Sequence, residues 1–179
     1  MQQQGEYMIH DRPTRLLTLA RAIADGNPDF QAVRGPGDGD RATHTFMREL
    51  REQANATFGH DYAEQRICGE TAFAADFYFP DEATVVEVAL GLPNSASEFE
   101  KDILKAIVAQ DYNYYPVRRL FFISRAGAAR KCAQPGRRAF MSWAKAKHAL
   151  LIEVHELGGE PRVRTRRPRR TTEPIAPVA

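Results

Sequence analysis

Two acidic residues stand out because of the company they keep. Asp76 lies in Ala-Phe-Ala-Ala-Asp-Phe-Tyr-Phe and Glu87 in Thr-Val-Val-Glu-Val-Ala-Leu. Acidic residues are depleted in strands, and burying a charge without a partner costs several kcal/mol. Such a residue is paired, protonated or holding a cation. Strand alternation puts residues 72, 74, 76 and 78 on one face of the first segment, and Val85, Glu87 and Ala89 on one face of the second. With residues 79–84 as the hairpin connection, Asp76 and Glu87 fall on neighbouring strands and are able to face the same side. Two carboxylates a few ångström apart repel each other. A divalent cation is the simplest remedy, and hard oxygen ligands favour Mg²⁺ or Mn²⁺.

The elements that must position these residues show in the periodicity. Leu16, Leu17, Leu19, Ala20 and Ile23 recur at helical spacing over 12–25, with Pro13 tolerated in a first turn. Gly26-Asn27-Pro28 stops that helix. Residues 27–42, including Gly35-Pro36-Gly37-Asp38-Gly39, predict a loop; no Gly-Lys-Ser/Thr follows, so it is not a phosphate-cradling loop. Phe46, Met47, Leu50, Ala54 and Phe58 line one face of a second helix over 43–58. The period then changes. Segments 62–67, 72–79 and 84–90 are short, aromatic or β-branched, and predict three strands, the last two joined through Pro80-Asp81-Glu82. Residues 95–110 return to helical period, with Ser95 or Ser97 as N-cap and acidic residues in the first turn. A fourth strand at 117–123, a loop or partly helical stretch at 124–134, a helix at 137–147 and a fifth strand at 149–156 follow. The order α-α-β-β-β-α-β-α-β predicts an α/β fold with a mixed central β-sheet flanked by helices on both faces.

Asp76, then Glu87-Val88-Ala89 on the next strand, then the helix Ser97-Glu98-Phe99-Glu100-Lys101-Asp102-Ile103-Leu104-Lys105, resembles the core of the PD-(D/E)XK nuclease superfamily, the restriction endonuclease-like fold. The resemblance covers residues 43–123 and extends toward 156. It implies an α-β-β-β-α-β core in which Asp76 is the motif aspartate and Glu87 the second acidic residue, both ligating the metal. The motif lysine belongs two residues after the glutamate, where this chain has Ala89; the proline before the aspartate is replaced by Ala75. A literal Pro-Asp occurs at Pro80-Asp81, but proline belongs in turns or at strand edges, so Asp76 is preferred. In the family the lysine orients or activates the attacking water and offsets developing negative charge, and losing such a group costs orders of magnitude in rate. Some members carry it on a neighbouring element. Lys101 and Lys105, on the helix after the third strand, are the candidates. Lys105 flanks the Phe99, Ile103, Ile107 stripe and is favoured over Lys101; the plain reading makes both solvated surface lysines. The family's helix before the first strand often supplies another acidic ligand. Glu49 flanks the Phe46, Leu50, Ala54 stripe while Glu52 points away, so Glu49 is the candidate, set against a surface ion pair with Arg48 or Arg51. Glu64 is a further neighbour, and Glu100 reads as a buried salt-bridge partner.

Other constellations carry less. The five histidines are scattered, and His155-Glu156 lacks the second histidine of a His-Glu-x-x-His zinc motif. Cys132 follows Arg130 and Lys131, but nothing else marks it as a nucleophile. Tyr112, Tyr114 and Tyr115 suit base stacking, or a loop packed on the sheet. Arg118 and Arg119 head a basic zone with Arg125, Arg130, Lys131, Arg137 and Arg138, which would hold phosphates if it formed one face.

The 179-residue chain has the length of one domain with room for a tail, and its 43% apolar and 27% charged fractions are those of an ordinary soluble globular protein. No apolar run reaches the ~18 residues of a membrane span. The first residues lack the pattern of a secretory signal, and Cys68 and Cys132 form no disulfide framework or zinc spacing. A cytoplasmic location is expected. The expected organisation is an N-terminal helix and Gly/Pro-rich connector at 1–42, a nuclease-like α/β domain at 43–159 and an Arg-rich disordered tail at 160–179. The net charge of +2 is uneven: six arginines against Glu160 and Glu173 give the tail +4, leaving −2 for residues 1–159. Arg164, Arg166 and Arg167 in that tail are candidate phosphate contacts. The leading expectation is a Mg²⁺- or Mn²⁺-dependent nuclease acting on DNA ahead of RNA at a two-carboxylate site, with nucleic acid as partner, no membrane, and a homodimer left open. One alternative is a catalytically inactive nuclease-fold module that binds nucleic acid or a protein, for which Ala89 speaks. Another is an unrelated α/β protein whose strand carboxylates are structural.

Overall fold

The computed structural model describes residues 11–27, 30, 38–93, 97–112 and 115–158. Helix α1 (Arg12–Gly26) begins where Asp11 caps it: the Asp11 carboxylate accepts from the Thr14 N–H at 3.3 Å, and Pro13 occupies the first turn, where its missing N–H costs nothing. Helix α2 (Asp38–Phe58) starts five residues before the position 43 expected from periodicity. Gly39 in a helix costs about 1 kcal/mol relative to alanine, which a helix of 21 residues with a buried Phe46, Leu50 and Ala54 stripe absorbs.

Five strands form one sheet in the order β1-β2-β3-β4-β5: β1 (Ala63–Gln65), β2 (Ala75–Phe79), β3 (Thr84–Val88), β4 (Arg119–Ser124) and β5 (Leu151–Glu156). Pairings β1–β2 and β2–β3 are antiparallel; β3–β4 and β4–β5 are parallel. The sheet is mixed, as the element order predicts, with strands shorter than their apolar segments. The β2–β3 connection is a 3₁₀ turn, Pro80–Glu82, followed by Ala83 in the left-handed region at φ 46°. Helix α3 (Ser97–Asp111) crosses from β3 to β4. The stretch 124–134 contains a short helix, α4 (Ala128–Cys132), and with α5 (Pro135–His148) it carries the chain from β4 to β5. Two crossovers of common hand stepping in one direction must lie on the same face of the sheet, and these do.

Alternation along the strands therefore feeds two core layers. On one face, Val85, Leu120, Phe122 and Ile152 meet Phe99, Ile103, Ala106 and Ile107 of α3, with the Phe99 and Phe122 rings stacked at 5.5 Å. On the other, Phe77, Phe79, Val86, Phe121 and Ile123 meet Leu16, Leu17, Ala20 and Ile23 of α1 and the α2 stripe. Helix α1, read from sequence as preceding the α/β unit, shares its core. Each fully buried side chain of this size contributes about 1.5–3 kcal/mol. Among the described residues, no helix is long and apolar enough to cross a membrane. The Arg-rich stretch 160–179, with Arg164, Arg166 and Arg167, lies outside the described residues, as do Ser95 and Tyr114.

Candidate active site

Register brings the two strand carboxylates together. Tyr78 pairs with Val85 and Phe77 with Val86, so the next step along the ladder sets Asp76 opposite Glu87. Both share the face of Tyr78 and Val85, the one covered by α3. The Asp76 Oδ2 accepts from the Val88 N–H at 2.8 Å, which ties it to the end of β3. Glu87 is 4% exposed, and a lysine reaches it from above: Lys105 of α3, 7% exposed, holds its Nζ 2.7 Å from Glu87 Oε1. The same ammonium lies 3.0 Å from Asp102 Oδ1 and donates to the Ala74 carbonyl at 3.2 Å. The ammonium thus has two ion-pair partners and one hydrogen-bond acceptor. Asp102 and Lys105 stand three residues apart on one helical face, which explains why both reach the same point. Ala89 is the next residue on the face of Glu87. It is buried, and its carbonyl accepts from the Ser124 hydroxyl at 2.6 Å.

Two carboxylates share one ammonium with Asp76 close by, and the imbalance shows in their protonation. Burial pushes the Glu87 carboxyl well above its ordinary value, and the neighbouring Asp76 and Asp102 charges push it further, against Lys105. Burial also raises Asp76, opposed by the Val88 N–H, Lys105, Arg51 and a hydrogen bond with Glu87. Asp102 is raised by burial against the pull of Lys105. For Lys105 burial works downward, but Glu87 and Asp102 outweigh it and hold the amine firmly protonated. The result is a buried site whose carboxyls outnumber its ammonium and favour a proton or a cation as counter-charge.

These groups line a cleft of about 550 Å³. Lys101 and Glu98 of α3, Thr43 of α2 and Arg125, just past β4, line it as well. The Glu98 carboxylate lies against Gly91, where a Cβ would stand 2.6 Å from its Oε2. A second cleft of about 650 Å³ shares Thr43 and is lined by Arg41, Arg48 and Arg51 together with Glu52 and Glu64.

Of the residues singled out from sequence, Asp76, Glu87, Lys105 and Lys101 meet in the first cleft. Glu49 does not. Its helix packs on the opposite face of the sheet, and its Oε1 accepts from the Gln53 side chain at 3.1 Å. Glu64 pairs with Arg51 at 2.7 Å. Arg118 and Arg119 sit at the other end of β4, where the Arg118 N–H bonds the Ala83 carbonyl, four residues and about 13 Å of strand from Glu87. The Arg119 guanidinium is spent on Glu153 at 2.7 Å and Asp11 at 3.5 Å, and lies over the Phe121 ring. Cys68 and Cys132 are buried with thiols raised chiefly by burial, which does not activate a nucleophile. Asp102 and Thr43 are site residues that the sequence did not single out, and Arg125 alone of the basic zone headed by Arg118 and Arg119 lines this cleft. The one available signal was the spacing of Asp102 from Lys105.

Carboxyl oxygens that favour a counter-charge are the donor set that a hard divalent cation takes. Among the described residues no three His, Cys, Asp or Glu side chains form a ligand cluster. A cation would therefore rest on Asp76 and Glu87 with water completing its shell, an arrangement that suits Mg²⁺. No protein-family model, curated protein or solved structure matches this chain.

Proposed function

We propose that the chain is a metal-dependent phosphodiester hydrolase of the restriction endonuclease-like type, acting on DNA ahead of RNA. The observation that carries this reading is the buried Lys105 ammonium, 2.7 Å from Glu87 in the cleft that also holds Asp76. A lysine arriving from α3 supplies the charge absent at Ala89. An antiparallel β1-β2-β3 unit followed by α3 and a parallel β4 supports the same reading.

In this mechanism Asp76 and Glu87 would hold the cation, which would supply Lewis-acid activation and charge neutralisation. The Val88 N–H keeps Asp76 oriented toward that position. Lys105 orients the attacking water and offsets negative charge developing on the phosphate. Lys101, Thr43 and Arg125 border the mouth and contact the phosphate chain, and the arginine-lined cleft beyond Thr43 continues that path.

A second reading, an inactive binding module, is favoured by one feature: the Lys105 ammonium is already engaged within the protein by Glu87, Asp102 and the Ala74 carbonyl. A nuclease assay separates the two. Single- and double-stranded DNA and RNA are incubated with Mn²⁺ or Mg²⁺ and either the native chain or the Asp76→Ala/Glu87→Ala variant. Metal-dependent cleavage that falls at least about a hundredfold in the variant is the expected result. Binding without cleavage by the native chain favours the inactive module, and undiminished cleavage by the variant removes this site.

A further inference from the structure

The Lys105 ammonium has two carboxylate partners where one would neutralise it. Glu87 Oε1 stands at 2.7 Å and Asp102 Oδ1 at 3.0 Å, and both carboxylates are buried. An i,i+3 ion pair on a helix surface is ordinarily solvated and contributes little. Here the pair is turned inward, onto the Glu87 carboxylate that a cation held by Asp76 and Glu87 would also need. A divalent cation and an ammonium drawn to one carboxylate repel strongly at such range. Once off Glu87, the ammonium still has Asp102 Oδ1 and the Ala74 carbonyl. The move needs only rotation about the end of a flexible four-carbon stem.

We propose that Lys105 and a divalent cation compete for the Glu87 carboxylate, and that Asp102 is a positioning residue that keeps the displaced ammonium inside the cleft. This rests on the cation site of the proposed function. The ammonium is a built-in counterion for the metal-free protein, and it becomes available to water and phosphate only when the cation arrives. Without the Asp102 charge the displaced lysine has only neutral acceptors, so it stays on Glu87 and opposes the cation.

The test is calorimetric titration of Mn²⁺ into the full chain as native protein, Lys105→Met, Asp102→Asn and the double variant, each checked for folding by circular dichroism. Lys105→Met is expected to bind Mn²⁺ at least tenfold more tightly while losing cleavage. Asp102→Asn is expected to bind at least fivefold more weakly, and in the Lys105→Met background that penalty should fall below twofold, because Asp102 acts through the ammonium. Should Lys105→Met not fold, Lys105→Gln removes the same charge and reads the same competition. Equal Mn²⁺ affinity in the native and lysine variants overturns the competition and leaves the cation site standing. An Asp102→Asn penalty of the same size in both backgrounds overturns the role of Asp102. No Mn²⁺ binding by any of the four proteins overturns this inference and the proposed cation site together.

Discussion

Replacing Asp76 by Asn should make the protein more stable and inactive. The asparagine keeps an oxygen for the Val88 N–H, now bonded at 2.8 Å, and removes only the charge. Directly opposed strand residues have Cβ atoms about 4.5–5.5 Å apart. Two charges about 5 Å apart at an effective dielectric near 20 repel by about 3 kcal/mol. Losing the attraction of Asp76 to Lys105 and Arg51 and its hydrogen bond with Glu87 works the other way, leaving a net gain of about 1–2 kcal/mol. For a chain of this length that is roughly 3–6 °C in Tm.

The gain must depend on pH, with a sign set by the direction of the shifts. Asp76 and Glu87 are both raised by burial, so the folded protein keeps their protons to higher pH than the unfolded chain does. Their contribution to stability is therefore full below the unfolded carboxyl range, near pH 4, and is lost as pH rises through the folded values. The variant escapes most of that loss. Thermal unfolding by circular dichroism, in EDTA at pH 8 and again near pH 4, reads the difference. The Asn variant should lead at pH 8 and match the native chain near pH 4. A native chain as stable as the variant at pH 8, or an equal lead at both values, would refute the charge-repulsion argument.

Two further perturbations probe the scaffold. Phe122→Ala removes a fully buried ring stacked on Phe99, beneath the helix that carries Lys105; the expected cost is about 3–5 kcal/mol, read from the urea midpoint, and a loss under 1 kcal/mol would mean that α3 is not anchored there. Arg119→Ala breaks the pair with Glu153 and should cost about 0.5–1.5 kcal/mol of stability, yet leave DNA affinity by fluorescence anisotropy unchanged, because that guanidinium is far along the strand from the cleft. A several-fold drop in affinity would return Arg119 to the binding surface.

Which parts of this site were legible follows from the range of the forces that place them. Period 2 in 72–79 and 84–90 and period 3.6 in 95–110 are local, and they are enough to name the elements and their order. Parity is local too, so Asp76 and Glu87 could be set on one side of adjacent strands before any coordinates. The flank position of Lys105 beside Phe99, Ile103 and Ile107 pointed toward a boundary between core and cleft. A helical wheel, however, orients a side chain only against its own helix. Glu49 flanks an apolar stripe just as Lys105 does, but α2 packs on the opposite face of the sheet, and nothing local to 43–58 chooses the face. Arg119 reads as a free cation until β5 brings Glu153 beside it, a pairing over 34 residues. Asp102 reads as surface charge until α3 turns it inward over the strands. The sequence by itself thus determined the main elements, their order and the parity that lets the two carboxylates face one side, because short-range periodicity encodes them, while the pairing register set them opposite. Which charges became buried partners of those carboxylates was decided by long-range packing of helices on a sheet, and only the tertiary structure holds that information.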